Sequence, residues 1–377
     1  MHTPCKPVRL SLAWAFCAVF LSLAGCAPQP PQTSATQAGG NTPTHFQDGK
    51  FHNNYVDTLP GPLSDLLRWQ WNAWRNNLPP PPRTPIPVVA PDLPAISANA
   101  VAGSAMRPAI TWVGHASMLV QANGLNVLTD PIFSERASPV QWIGPKRNQA
   151  PGVALADLPP IDVVVISHNH YDHLDVASVR ALNTRSAGKT LFIVPQGLKA
   201  WFADEGIQNV VELDWWQSHA VAGVDFMLTP VQHWSARGIN DRHKTLWGGW
   251  AVMGPAFNWY FGGDSGYSAD FKDTATRLAP RLATRGGFDL ALIPVGAYEP
   301  EWFMQPQHMN PTQALQVQRD LGAKQSVGVH WGTFNLTDEP LDQPPNDLAK
   351  ARAAQGVTDD QFFLLAIGET RFLKPQP

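Results

Sequence analysis

The sequence predicts an α/β fold in which helices cover the outer faces of two β-sheets. From residue 109 onward the sequence contains many short runs rich in β-branched and aromatic residues, which are typical of strands. Segments with a helical pattern separate several of these runs. These strands fall into two sets, each followed by helices, and this order favours two sheets.

The individual elements follow from local patterns. Asn123-Gly124 is typical of a hairpin turn, and the mostly β-branched run 161–167 is typical of a strand buried on both faces. We expect strands at residues 109–113, 117–122, 125–129, 161–167, 190–194, 209–213, 224–229, 249–253, 258–261, 290–294, 325–329 and 362–367. We expect helices at residues 175–183, 198–206, 271–284, 311–321 and 346–355.

Composition narrows the classes of function. The 377 residues include 27 Lys and Arg against 30 Asp and Glu, which gives a formal charge of −3. A mildly acidic chain without a basic run is a poor partner for nucleic acid, because that binding depends on cations that meet phosphates. Only the first 25 residues hold a long apolar run, so a multi-spanning membrane protein is excluded.

Residues 1–25 resemble the signal peptide of a bacterial lipoprotein. Lys6 and Arg9 precede the uncharged apolar run 10–24, which ends directly before Gly25 and Cys26. In such leaders the cysteine is lipidated, so we expect Cys26 to anchor the chain in the membrane of a bacterial cell envelope. Ala27, the residue after Cys26, resembles the residue that directs a lipoprotein to the outer membrane. In a Gram-negative host the protein would then lie at the periplasmic face of that membrane. The alternatives are an ordinary signal peptide with a chance cysteine and an uncleaved membrane anchor.

Residues 26–108 are predicted to form a proline-rich arm before a main domain at 109–377. Fifteen prolines between residues 27 and 109 favour an extended, linker-like chain. One amphipathic helix is predicted at about 62–78, from an apolar stripe of Leu63, Leu66, Leu67, Trp71, Trp74 and Leu78. This stripe either packs on the main domain, which is the favoured interpretation, or contacts lipid at a membrane interface.

Four metal-capable side chains follow the predicted strand 161–167. His168 and His170 lie two residues apart in an extended segment, so they point the same way and can bind one ion. Asp172 and His173 come after the turn and can reach a second ion. Such a density of ligand-type residues directly after a buried strand predicts a metal site.

Three more candidate ligands, His233, Asp264 and His330, each follow an apolar strand, where α/β folds place their chemistry. The other cysteines leave with the leader and Cys26 would be acylated, so the ligands must be histidines and carboxylates. Five histidines and two carboxylates suit two ions such as zinc, while iron and manganese are not excluded.

The segment His168-x-His170-x-Asp172-His173 resembles the signature of the metallo-β-lactamase superfamily. Further segments, in order from about residue 109 to 373, narrow the resemblance to N-acylphosphatidylethanolamine-hydrolysing phospholipase D (NAPE-PLD) and its bacterial relatives. These segments begin at Thr111, Leu128, Gly144, Glu212, Gln232, Gly263, Pro294 and His330.

The resemblance implies an αββα sandwich of two mixed β-sheets with helices outside, and a metal-dependent hydrolase of the phospholipase D type. The implied zinc ligands are His168, His170 and His233 for one ion and Asp172, His173 and His330 for the other. Asp264 would bridge both ions, and a hydroxide between them would attack phosphorus. The implied products are N-acylethanolamine and phosphatidic acid.

Two further histidines resemble family positions near the site. His115 is expected to support the ligands through hydrogen bonds, although ligation is the alternative. His308 is expected to donate a proton or a hydrogen bond to a phosphate oxygen, and a structural loop histidine is the alternative. The predicted catalytic residues are therefore Asp172, Asp264 and His308.

The expected partners are a phospholipid substrate and a membrane reached through Cys26, with no nucleic acid. The oligomeric state stays open, a homodimer included. Another hydrolase of this fold, such as a different phosphodiesterase, a lactonase or a β-lactamase, is the alternative function. A non-catalytic envelope lipoprotein is disfavoured because every expected ligand is present.

Overall fold

The computed structural model describes residues 44–57 and 59–373. The predicted signal peptide and Cys26 lie outside these described residues. Two seven-stranded sheets follow a short ribbon of two strands, β1 and β2, at Phe46–Gln47 and Lys50–Phe51. The predicted α/β fold of two mixed sheets with flanking helices is confirmed.

The first sheet joins an antiparallel half to a parallel half. Its strands in spatial order are β16 (Thr370–Phe372), β3 (Ala109–Gly114), β4 (Ser117–Ala122), β5 (Leu125–Thr129), β6 (Val163–Val165), β7 (Leu191–Pro195) and β8 (Val210–Leu213). Pairing is antiparallel from β16 to β5 and parallel from β5 to β8. The strand predicted at 161–167 is thus shorter in the structure.

The second sheet repeats this arrangement. Its strands in spatial order are β9 (Ser218–Val221), β10 (Val224–Thr229), β11 (Gly249–Met253), β12 (Asn258–Phe261), β13 (Leu290–Pro294), β14 (Gln325–Val329) and β15 (Phe362–Phe363). Pairing is antiparallel from β9 to β12 and parallel from β12 to β15. In both sheets the switch from antiparallel to parallel pairing occurs at a central strand.

The helices lie in chain order at Leu63–Asn76 (α1), Leu93–Ala100 (α2), Val176–Arg185 (α3), Lys199–Asp204 (α4), Asp270–Leu282 (α5), Glu301–Met304 (α6), Pro311–Leu321 (α7) and Gln343–Gln355 (α8). Asn310 caps α7 through its side chain, which accepts a hydrogen bond from the Gln313 backbone N–H at 2.9 Å. Short 3₁₀ turns lie at Gly103–Ala105, Leu155–Asp157 and Ala283–Arg285.

Burial on both faces explains the apolar run of β6. Val163 and Val165 belong to the core between the sheets, whereas Val164 belongs to the core under α3. Side chains alternate across a strand, so three consecutive valines fill both layers.

α1 packs through a different side from the predicted stripe. Trp69 and Ala73 are its buried residues, whereas Trp71 and Trp74 are 61% and 66% exposed. The favoured interpretation, that the stripe packs on the main domain, is therefore wrong for most of its residues. Among the described residues, none of the helices is long and apolar enough to cross a bilayer.

Candidate metal centre

A tight turn after β6 brings four predicted ligands to one edge of the sheets. The backbone N–H groups of His173 and Leu174 both donate to the carbonyl of His170, at 3.1 and 2.9 Å. Arg237 holds the loop from outside, because its Nη1 donates to the carbonyls of Asn169 and Leu174 at 2.8 and 2.7 Å. The residues after the turn therefore fold back toward His168.

Three histidines converge as the sequence predicts. His168 Nε2 lies 2.8 Å from His170 Nδ1, and His233 Nε2 lies 3.3 Å from the same atom. His233 Nδ1 donates to the carbonyl of Gln307 at 3.0 Å, which leaves the lone pair on Nε2. These nitrogens therefore face a common point, as ligands of one cation do.

Burial keeps these histidines neutral, which is the form that binds metal. It lowers the pKa of His170 to about 4, and it lowers the pKa values of His168 and His233 well below their usual range. The neighbouring imidazoles lower the pKa of His168 further, because each disfavours a second positive charge.

A second group forms around Asp172. Its Oδ2 lies 3.2 Å from His173 Nε2 and 3.3 Å from His330 Nε2. Burial lowers the pKa of His330, but the Asp264 and Asp172 carboxylates overcome it and raise that pKa to about 9. This field favours positive charge between the carboxylates and the histidines.

Asp264 lies between the two groups. Its Oδ2 is 4.0 Å from His168 Nε2 and 3.1 Å from His173 Nε2, and its Oδ1 is 3.2 Å from His330 Nε2. Gly263 allows this approach: its φ is +56°, and a Cβ there would lie 2.6 Å from the Ser167 Cβ.

The nitrogen and oxygen atoms that face one another in these two groups, here called donor atoms, are suited to binding metal ions. His173 Nε2, His308 Nδ1 and Asp264 Oδ1 are buried and make no hydrogen bond of good geometry among the described residues, although imidazole or carboxylate atoms lie 3.1 to 3.9 Å from each of them. Buried polar atoms almost always have partners, so several unpartnered ones in one cluster are typical of the ligand atoms of a cation site. Imidazoles and carboxylates suit zinc and its transition-metal neighbours, and the two groups of histidines on either side of Asp264 could hold two ions.

His115 and His308 both lie at this centre. His115 Nε2 is 2.9 Å from Asp172 Oδ2, so it can orient this carboxylate, although it also lies within reach of His173 and His330. His308 Nδ1 is 3.9 Å from Asp264 Oδ2. The structure therefore brings together all nine residues that the sequence places in or beside the site. The roles of these residues stay predictions.

Asp130, for which the sequence predicted no role, supports the cluster through its contact with His173. Its carboxylate accepts hydrogen bonds from the Ser167 backbone N–H at 2.7 Å, from Ser167 Oγ at 2.5 Å and from His173 Nδ1 at 2.7 Å. His173 is thereby fixed with Nε2 toward the other donors. The available signal was a carboxylate directly after the buried strand β5.

Comparison with known proteins agrees with this geometry. The β-lactamase superfamily domain matches residues 125–331. The N-acyl-phosphatidylethanolamine-hydrolyzing phospholipase D 1 of Caenorhabditis elegans is 39% identical over 271 residues, which cover 69% of this chain and 74% of that protein. An uncharacterized protein of Mycobacterium tuberculosis is also 39% identical, over 83% of this chain and 81% of its own.

Among solved structures, a possible metal-dependent hydrolase from Veillonella parvula aligns with a TM-score of 0.56 at 16% identity. The alignment covers 71% of this chain and all of that one, and at this identity it supports the fold alone. The chain belongs to the metallo-β-lactamase superfamily of metal-dependent hydrolases, in the branch that contains the NAPE-PLD enzymes.

Proposed function

We propose that the protein is a two-zinc phosphodiesterase that hydrolyses N-acylphosphatidylethanolamine. The position of Asp264, within 3.1 to 4.0 Å of histidines from both donor groups, carries the proposal. One shared carboxylate supports two ions held close together, which is an arrangement suited to phosphodiesters. The lipid substrate is inferred from the similarity to the C. elegans phospholipase.

In this proposal some residues of the chain bind the metal ions and another assists the leaving group. When bound, two zinc ions would acidify a water molecule and neutralise charge on the phosphoryl oxygens. His168, His170 and His233 would hold one ion. Asp172, His173 and His330 would hold the other. His308 would then donate a proton or a hydrogen bond to the departing oxygen.

In this reaction the P–O bond to the ethanolamide breaks and a solvent oxygen bonds to phosphorus. The departing oxygen takes a proton and leaves as N-acylethanolamine, so phosphatidic acid keeps the solvent oxygen. The described residues offer no cysteine for a covalent intermediate, and as metal ligands the clustered histidines would not be free to form one.

The test is hydrolysis of N-acylphosphatidylethanolamine in mixed micelles, in water enriched in heavy oxygen. We expect phosphatidic acid with one labelled oxygen, and we expect a strong chelator to abolish the rate. A label found only in the ethanolamide, or a rate indifferent to chelation, would refute the mechanism. Cyclic nucleotide, lactone and cephalosporin substrates, tested on the same sample, identify another hydrolase activity if one of them is preferred.

We also propose that lipidated Cys26 anchors the enzyme in a bacterial envelope, where its diacyl substrate is concentrated. Cys26→Ser should abolish palmitate labelling and leave an unprocessed or mislocalised precursor. Metabolic labelling and membrane fractionation measure both effects, and Ala27→Ser is the matched control that should stay acylated. Labelling that survives Cys26→Ser would show that the anchor lies elsewhere.

A further inference from the structure

One side of α1 is apolar and exposed although the helix is fixed through its other side. Leu63, Leu67, Trp71 and Trp74 are 66%, 52%, 61% and 66% exposed. Their spacing of four, four and three residues places them on a single stripe. Isolated exposed apolar residues are ordinary, but two neighbouring tryptophans and two leucines on one stripe form a patch.

The buried side of α1 packs against a segment that leads to the metal centre. Trp69 stacks on Phe303 of α6 at 5.3 Å, and its Nε1 donates to Asp338 Oδ1 at 2.8 Å. From α6 the chain runs directly into Gln307, whose carbonyl accepts from His233. The helix is therefore a fixed part of the site's surroundings.

Further exposed apolar side chains lie in the segments that connect the strands at the same edge. Ile239 follows β10 and His233, and it is 80% exposed. Trp302, on α6 between β13 and His308, is 46% exposed. The edge that carries the metal ligands thus also presents apolar side chains to its surroundings.

Positive charges flank the patch. Arg68 and Arg75 are exposed on α1, seven residues apart and beside the stripe. The Arg68 guanidinium lies 4.7 Å from the centre of the Trp302 ring, which connects α1 with α6. Tryptophans beside arginines match a bilayer surface, because indole rings favour the headgroup level and guanidinium groups pair with phosphates.

We propose that the α1 face, defined as Leu63, Leu67, Trp71, Trp74 and Trp302, docks on a phospholipid bilayer. The indole rings would enter the headgroup region, and Arg68 and Arg75 would contact lipid phosphates. The metal centre would then lie beside the bilayer surface. This contact is separate from any anchor at Cys26, and it does not require a particular substrate.

The test uses the full chain reconstituted in vesicles of phosphatidylcholine and phosphatidylglycerol with brominated acyl chains, which quench nearby tryptophans. Wild type and a Trp71→Ser/Trp74→Ser variant share the same N-terminus, so any anchor is the same in both. We expect the quenched fraction of tryptophan emission to fall at least about twofold in the variant. Val101→Ser is the control: Val101 is 78% exposed, and it follows α2 near the 123–124 turn.

Circular dichroism and metal content check that the variants fold. Equal quenching in the double variant and wild type would overturn the proposal. If light scattering in detergent also showed wild-type dimers that the variant loses, the face would belong to a second copy of the chain. None of these readouts depends on turnover, so a failure of the proposed reaction would leave the test intact.

Discussion

Asp264→Asn should remove metal from both donor groups together. Wild-type protein is expected to hold about two transition-metal ions, chiefly zinc, and the variant fewer than one. The reason is geometric, because the Asp264 carboxylate approaches His168 and His233 of one group and His173 and His330 of the other. Asparagine keeps the shape but loses the negative charge that the cations need.

Elemental analysis of the purified full chain measures this effect. Asp270→Asn is a matched control, since Asp270 is also buried but bonds to Asn54 and Ser268, outside the donor groups. That control should keep the wild-type metal content. A variant at Asp264 that retains one tightly bound ion would disprove the shared carboxylate. Active wild type with at most one ion would disprove the two-ion site.

Most of the buried elements could be predicted from the sequence because their apolar residues repeat at the strand or helix period. Gly249–Met253, Leu290–Pro294 and Pro311–Leu321 have the predicted bounds. β9 could not be found, because Ser218–Val221 is a half-exposed edge strand without an apolar pattern. α2 was not predicted either, because it begins in a proline-rich stretch that favours an extended chain. The structure tolerates Pro94 because it lies in the first helical turn.

The donor residues could be predicted because they follow apolar strands in sequence. The support by Asp130 could not, because it depends on strand pairing: β5 and β6 align Thr129 with Val165, so the residues after them become neighbours. The side on which α1 packs could not be predicted either, because it also depends on a tertiary contact. Both Trp69 and Trp71 are apolar, and only the contact with Phe303 decides which side is buried.

Asp172→Asn should reduce the rate of lipid hydrolysis by about three orders of magnitude or more, corresponding to at least ~4 kcal/mol of lost transition-state stabilisation. Asp172 Oδ2 lies within 2.9 to 3.3 Å of His115, His173 and His330. Burial raises its pKa, but these histidines overcome that effect and hold the pKa well below its usual range. The charged carboxylate is therefore part of the cluster, and asparagine in its place would weaken binding of the proposed second cation.

Two further variants separate ligation from support and from proton donation. Asp130→Asn acts on the ligands through the hydrogen bonds that Asp130 accepts from His173 and Ser167, so we expect a loss of about ten- to a hundredfold in zinc affinity and a matching loss of rate. His308→Ala should keep both ions but slow the reaction by up to about a hundredfold, most for substrates with poor leaving groups. Steady-state kinetics with zinc titration distinguishes the three. If His308→Ala lost metal, or if Asp172→Asn kept the wild-type rate, the assigned roles would be wrong.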